Sequence, residues 1–578
     1  MRRGAAPGWH GAPRRGGRRG WVGRGVGRGG LLRCGANDLS LLRRRARVSA
    51  PLRSVSPHYV SFALDSPFIR DPTGIGGLGP LPQDDTNSTR IDFQNPLLNK
   101  VMPLVTDGFI RIGGTYTDFV HYYVPGSNHT RCPYAPHKQR CPGNSIPCCL
   151  PMTVERWREA LEFAHRNGLQ IVFNLNVLHG RYDDYSAAIP DCCGAFNGTR
   201  PPWDSSEARA LMTWTKENVE PKMWPAYFGL GNELSGYLSA EQWAGDLHTV
   251  YSLIKEIFGG TPGSGRTPGT YGPCNCDGAS VWEADFLKHS TTLQKDGLGA
   301  FTFHSYAHHG ATVEGVANMT GGIDASRNVF AKFKALHSAA DTTSALWITE
   351  TAWSATATAN AAAGGAAAAV NGMERACDMA WNLDALGAAA EEGVDVFCRE
   401  TLAGDWLEVI GSWQPGDART GEHNPPYTPH ADFWVAALWK KLMGLQVLGA
   451  NSTAVVAAED SAVQVRTFAH CSQQTAGAVM YAVAVSPCVR DESISLHFPA
   501  AASLTTWWLS ADTVSADTVT TPQRQEPDGR RRGSAAKPRW CGCHGKHHHV
   551  ARLGRVHSWL CGGSVRERAQ GLRYQYYH

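Results

Sequence analysis

No run of about 18 consecutive apolar residues occurs anywhere in the 578 residues of this chain. A membrane-spanning helix is therefore not expected, and the protein reads as soluble. Charge is also scarce, at 18% of residues, and it is unevenly spread. Residues 1–50 hold 13 Arg and one Asp, while residues 521–578 hold 12 Lys and Arg against three acidic residues. Set against an overall net charge of +4, these basic ends leave residues 51–520 at −17. The body is thus acidic, which disfavours polyanionic partners. The opening "MRRGAAPGWHGAPRRGGRRGWVGRGVGRGG" has neither a helical nor a strand period and lacks the apolar core of a secretory signal. Such composition cannot bury enough apolar surface to offset the entropy of ordering, so residues 1–45 are expected to be disordered. Residues 516–578 read in the same way, as a basic disordered tail. Charge-driven RNA or DNA binding by these ends is the alternative reading; no nucleic-acid partner is expected of the body.

What is present is a chain with 42% hydrophobic and 10% aromatic residues, long enough for one large barrel and an accessory domain. Ten of its 16 cysteines fall between Cys132 and Cys398, with adjacent pairs at Cys148-Cys149 and Cys192-Cys193. Asn87, Asn128, Asn197, Asn318 and Asn451 each begin an Asn-x-Ser/Thr sequon of the kind that accepts N-glycans. Together these favour an oxidising environment. The expected location is secreted, extracellular, or in a lysosome or vacuole, which leaves peripheral association with a membrane or cell wall open. The cluster of Cys541, Cys543, His544, His547, His548 and His549 has metal-ligand chemistry but no apolar pattern to hold a ligand shell, so no metal is expected there.

Between about residues 55 and 440, strand-like and helix-like segments alternate, as in a mostly parallel α/β architecture. In "TVERWREALEFAHRNGLQIVFNLNV", Thr153 can cap a helix whose Trp157, Ala160, Leu161 and Ala164 share a face, Gly168 ends it, and a buried strand follows. "SAEQWAGDLHTVYSLIKEIFGG" repeats the logic, with Ser239 and Gln242 at capping-box spacing and Gly259-Gly260 as the stop. Just before it, "FGLGNELSGY" sets Asn232 and Glu233 at the end of an apolar strand, and "ALWITETAW" does the same with Glu350. Asp65, Thr115, His304 and Tyr306 also fall at or near strand ends, which favours a closed barrel with its site at one mouth. Beyond about residue 445 the chain reads as short strands without a helical period.

A carboxyl group at the end of a buried strand is costly unless it is paired, hydrogen-bonded or functional. Glu233 and Glu350 stand 117 residues apart, room for two or three β/α units, so their strands would face each other across a barrel mouth. Retaining glycoside hydrolysis needs two carboxyl groups about 5–5.5 Å apart, which that geometry can supply. Each glutamate taken alone could equally be a salt-bridge partner.

"LGNELSG" followed by "SAEQWAGDL", together with "IRIGGTYTDFV", "TFHSYAHHG", "LWITETAW", "CRETLAGDW" and "ADFWVAALWKKLMGLQVLG", resembles in the same order the blocks of the heparanase-like β-glucuronidases, glycoside hydrolase family 79, above all their plant members. The resemblance runs from about Arg47 to Leu509. It implies a (β/α)8 TIM barrel with a C-terminal β-sandwich accessory domain: a sandwich strand in 46–57, the barrel over 58–443 and the sandwich over 444–515. It implies a retaining β-glucuronidase with Glu233 as acid/base and Glu350 as nucleophile, without metal or organic cofactor, acting on a glucuronate-containing glycan or glucuronide. By the same resemblance Asp65, Thr115 and Asn232 contact the sugar, Tyr306 adjoins the nucleophile, His304 matches a family histidine and Arg399 a family arginine. Gly404 and Trp406 lie where the family holds the glucuronate carboxylate. Asp405-Trp406 replaces the usual Asn-Tyr there, removing a phenol and adding a carboxylate. Endo-cleavage of heparan-type chains, or a barrel that binds carbohydrate without turnover, are the alternatives.

Overall fold

The computed structural model describes residues 48–66, 91–125, 150–178, 201–275, 280–308, 319–340, 342–354, 379, 381–403, 407–411 and 427–450, and strand segments from 453 to 577. Eight parallel strands close into a barrel. They are β1 (Val60–Asp65), β2 (Phe109–Gly113), β3 (Gln170–Leu175) and β4 (Tyr227–Leu230), then β5 (Gly269–Asn275), β6 (Leu298–His308), β7 (Ala345–Ser354) and β8 (Val396–Arg399). The ring closes by β8 pairing with β1, Phe397 opposite Val60. β6 and β7 run past the residues expected to end them, out to the His308–Ser354 pair. His304 and Glu350 therefore project from within paired strands, a firmer mounting than a loop.

The sequence accounts for the alternation. Thr153 Oγ1 accepts from Arg156 N at 3.2 Å, capping the helix Val154–Arg166, and Ser239 Oγ accepts from Gln242 N at 3.1 Å, capping Ala240–Phe258. On the latter, Trp243, Leu247, Val250 and Ile254 are buried against the barrel wall, the stripe expected of period 3.6. Inside the ring, Ala63, Phe109, Val172, Tyr271, Ala300, Trp347 and Val396 make a separate small core with Tyr227 packed on it. Every barrel strand contributes to that plug, so the barrel interior is filled and the site is confined to one end.

The strand Val48–Ser54, which precedes the barrel, pairs antiparallel with Met443–Ala450. That sheet has eight antiparallel strands. Thr520–Gln525 and Leu572–Tyr577 belong to it, the latter lying between Val479–Val485 and Thr506–Ala511. Ser495–His497 and Val550–Arg552 form a separate ribbon. These strands depart from the expectation that residues 516–578 are disordered. "LRYQYY" alternates apolar and aromatic with polar residues at strand period, a signal that the basic composition around it obscures. The sheet meets the barrel through ion pairs: Arg466 Nη1 lies 3.2 Å from Asp384 Oδ2, which also takes Arg327 Nε at 3.2 Å. The Ala-rich segment after residue 354, the cysteine-rich inserts and residues 1–45 lie outside the described residues.

Gly231 carries β4 into the site with φ +66, and a Cβ there would sit 2.8 Å from Val177 Cγ1. Gly231→Ala is expected to cost about 1–3 kcal/mol, read as a lowered denaturation midpoint; an unchanged midpoint would show that this turn relaxes freely.

Candidate active site

β4 ends at Leu230, and two left-handed residues, Gly231 (φ 66) and Glu233 (φ 54), reverse the chain around Asn232. A left-handed glutamate is costly, and hydrogen bonds hold this one in place. Asn232 N donates to Asp118 Oδ2 at 3.0 Å, and Glu233 N donates to the carbonyl of Cys274 at 2.9 Å. Asp118 also accepts from Val177 N at 3.3 Å. It is fully buried, and desolvation pushes its carboxyl well above the ordinary range despite these two amides.

Strands four and seven bring Glu233 and Glu350 together. β7 pairs with β6 so that Glu350 lies beside His304 and Ala352 beside Tyr306. His304 Nδ1 is 2.7 Å from Glu233 Oε1 and 3.2 Å from Glu350 Oε2. An oxygen of each glutamate and a nitrogen of His304 all lie within 4.8 Å of one another. That separation fits the roughly 5–5.5 Å of retaining glycosidases and is too short for the roughly 6.5–9.5 Å of inverting ones. Glu233 is the more open of the two, its side chain 15% exposed against 6% for Glu350, so a leaving group or water can reach it.

Arg111, a residue the sequence reading did not single out, organises the floor. It sits on β2 without exposure and forks three ways: Nη1 to Glu350 Oε1 at 2.5 Å, Nη2 to Asn232 Oδ1 at 2.5 Å and Nε to Asn174 Oδ1 at 2.9 Å. Only a planar guanidinium makes these contacts at once. Its signal was available, since a charge inside the apolar strand "FIRIG" demands a buried partner. Tyr306 Oη donates to Glu350 Oε2 at 2.9 Å. Burial alone would raise the Glu350 carboxyl, but the charges of His304 and Arg111 and hydrogen bonds from Arg111 and Tyr306 lower it. Glu350 is therefore held as carboxylate. Among the described residues the Nδ2 of buried Asn232 has no partner, which leaves a donor for a bound group.

Asp65 ends β1, and Gly114 leaves it room, because a Cβ there would fall 1.8 Å from Asp65 Oδ1. Oxygens of Asp65, Glu350 and Glu400 gather within 4.8 Å. Thr115 opens the 3-10 turn Thr115–Phe119 at the end of β2 and is partly exposed. Arg399 is buried, with Nη2 2.9 Å from Asp432 Oδ2 and Nη1 donating to Leu407 O at 3.3 Å, contacts that tie β8 to the following helix. Gly404, Trp406, Asn87, Asn128, Asn197, Asn318 and Asn451 lie outside the described residues. Cys274, Cys398 and Cys471 are free thiols. Two trios, Glu233-His304-Glu350 and Asp65-Glu350-Glu400, have ligand atoms close enough for a cation. Arg111 already neutralises Glu350, and a protonated His304 offers no lone pair, so neither trio is disposed as a metal site.

Burial lowers the affinity of the His304 ring for its proton, but the Glu350 charge, hydrogen bonds with Cys274 and Glu233 and the Glu233 charge raise it to about 9. A folded value above the unfolded one, about 6.5, stabilises the native state fully below the unfolded value and fades as pH rises through the folded one. The melting temperature of the wild type relative to His304→Gln should therefore fall between about pH 6.5 and pH 9. Parallel curves across that window would refute a charged His304.

The sequence profile of the glycosyl hydrolase family 79 N-terminal domain matches residues 79–387, more than half of the chain. Heparanase-like protein 3 of Arabidopsis thaliana is 24% identical over 404 residues, 68% of this chain and 65% of the relative, so the match spans just under two thirds of that protein. Baicalin-beta-D-glucuronidase of Scutellaria baicalensis is 24% identical over 449 residues, 74% and 75% of the two chains. Among solved structures, the GH51 arabinofuranosidase of Xanthomonas axonopodis pv. citri superposes with TM-score 0.55 at 14% identity, covering 92% of this chain and 99% of its own, which bears on the fold alone. With the family profile laid over the strands that carry Asn232, Glu233 and Glu350, this chain belongs to glycosyl hydrolase family 79, in its heparanase-like branch.

Proposed function

We propose that this protein is a retaining β-glucuronidase. The observation that carries the reading is the approach of a Glu233 oxygen and a Glu350 oxygen to within 4.8 Å, with His304 bridging them. Glu350, kept ionised by Arg111, attacks the anomeric carbon while Glu233 gives its proton to the leaving oxygen. Glu233, the more exposed partner, then takes a proton from water, which releases the sugar from Glu350. The Nδ2 of Asn232, without a partner among the described residues, suits the sugar 2-hydroxyl, a bond that strengthens as the oxocarbenium character develops. Asp65 and Thr115 line the same end of the barrel and would take further hydroxyls. By the family resemblance Gly404 and Trp406 are assigned to the sugar carboxylate, while the Arg399 guanidinium is held by Asp432 and Leu407 O.

Glucuronate as the substrate sugar is supported by family membership and by the relative named a baicalin glucuronidase. The net −17 of residues 51–520 favours small glucuronides or lightly charged glycans over polysulfated chains, because a polyanion needs a basic cleft. Five sequons and the cysteine-rich inserts support work in the secretory pathway, outside the cell or in a lysosome or vacuole.

Glu350→Gln should reduce hydrolysis of an aryl β-glucuronide to background, and Glu233→Gln should lower it by about 10²–10⁴-fold. Proton NMR of the wild-type reaction should show β-glucuronate as the first product. First release of the α-anomer, or full activity in either variant, would contradict the mechanism.

A further inference from the structure

Asp118 stands in the stretch "GGTYTDF" after β2, and the proposed mechanism gives it no chemical step. It is 1% exposed and lies in the 3-10 turn Thr115–Phe119. A buried carboxyl group is costly unless its oxygens are used, and here both are. Oδ1 accepts from Val177 N at 3.3 Å, just past the end of β3, and Oδ2 accepts from Asn232 N at 3.0 Å, just past the end of β4. Both amides belong to neighbours of Gly231. Asn232 follows it in the chain, and Val177 packs on it so closely that a Cβ on Gly231 would lie 2.8 Å from Val177 Cγ1. The segment that carries Asp118 is itself laced to the end of β3. Thr117 Oγ1 donates to Asn174 O at 3.1 Å, Asn176 Nδ2 to Val120 O at 2.6 Å and Asn176 N to Tyr122 Oη at 2.8 Å. Asp118 Oδ2 carries that fixed reference across to the residue before Glu233. Glu350 is held from elsewhere, by Arg111 on β2 and by His304 and Tyr306 on β6.

We propose that Asp118 is a positioning residue for Glu233: its carboxyl group ties the turn 231–233 to the end of β3 and so sets where the Glu233 side chain meets the leaving oxygen. Asp118 makes no bond to substrate and passes no proton. Without it the Asn232 amide loses its anchor, and the left-handed Glu233 relaxes toward ordinary backbone. That withdraws the acid from the leaving oxygen while Arg111, His304 and Tyr306 still hold the nucleophile. The defect therefore falls on protonation of the leaving group and spares attack at the anomeric carbon.

This inference rests on Glu233 as the proton donor of a β-glucuronidase. A dinitrophenolate departs without a proton, whereas a phenolate needs one from the general acid. The test is the ratio of kcat/KM on dinitrophenyl β-glucuronide to kcat/KM on phenyl β-glucuronide, for the wild type, Asp118→Asn, Asp118→Ser and Glu233→Gln. Asn keeps the volume but turns an N–H toward one of the two backbone amides, and Ser is too short to span both. The ratio should rise about tenfold or more in each Asp118 variant, the effect of a misplaced catalytic group, and about 10²–10⁴-fold in Glu233→Gln. Any weakening of the Asn232 contact with the sugar slows both substrates alike and leaves the ratio unchanged. A wild-type ratio in the Asp118 variants, with both rates equally lowered or intact, would overturn the role of Asp118 while a raised ratio in Glu233→Gln kept the acid/base assignment. A wild-type ratio in Glu233→Gln would sink both. Either Asp118 variant that folds carries the test. Loss of the folded circular dichroism signal in both would make Asp118 a structural residue and overturn the proposal.

Discussion

Buried Glu350 and partly exposed Glu233 share one histidine nitrogen, and much of the site follows from the need to keep that arrangement neutral. At 2.7 and 3.2 Å from His304 Nδ1, Glu233 and Glu350 would repel each other if both were ionised, and Glu350 would also pay the desolvation cost of a buried carboxylate. Arg111 compensates from β2, His304 from β6, and Tyr306 adds a neutral donor. Asn174 fixes Arg111 in turn and is fixed by Gly231 O. Removing one member of such a set leaves another buried charge without compensation.

The barrel makes that network possible by strand register. Parallel strands place Glu350 beside His304 and Ala352 beside Tyr306, so all three polar side chains gather near one end. The aromatic plug beneath, with Tyr271 and Trp347 6.1 Å apart between their ring centres, excludes water from below and lowers the local dielectric. Left-handed backbone at Gly231, Glu233 and Cys274 then aims the β4 and β5 ends inward. The strain is offset by hydrogen bonds from three strands, a pattern common at functional sites.

Much of this was legible in the sequence. Capped helices at Thr153 and Ser239, and apolar strands stopping at polar residues, revealed the β/α repeat. Glu233 and Glu350 stood out because a carboxylate closing a buried strand is expensive. Arg111 escaped because it sits within a strand rather than at its end and acts through a partner remote in sequence, meeting Glu350 across 239 residues. The late strand Leu572–Tyr577 escaped because its pairing partners are distant and its surroundings basic and glycine-rich. Arg399 was legible only as the counterpart of a family arginine, and its pairing with Asp432 depends on how the last barrel helix docks, which no local pattern encodes.

The central claim is that Glu350 forms a bond to the sugar while Glu233 manages the proton. Incubation with a 2-deoxy-2-fluoro β-glucuronide bearing a good leaving group, followed by peptide mass analysis, tests it directly. The account predicts a single fluoroglucuronyl adduct on the peptide containing Glu350. An adduct on another residue, or turnover of the substrate with no covalent species, would contradict it.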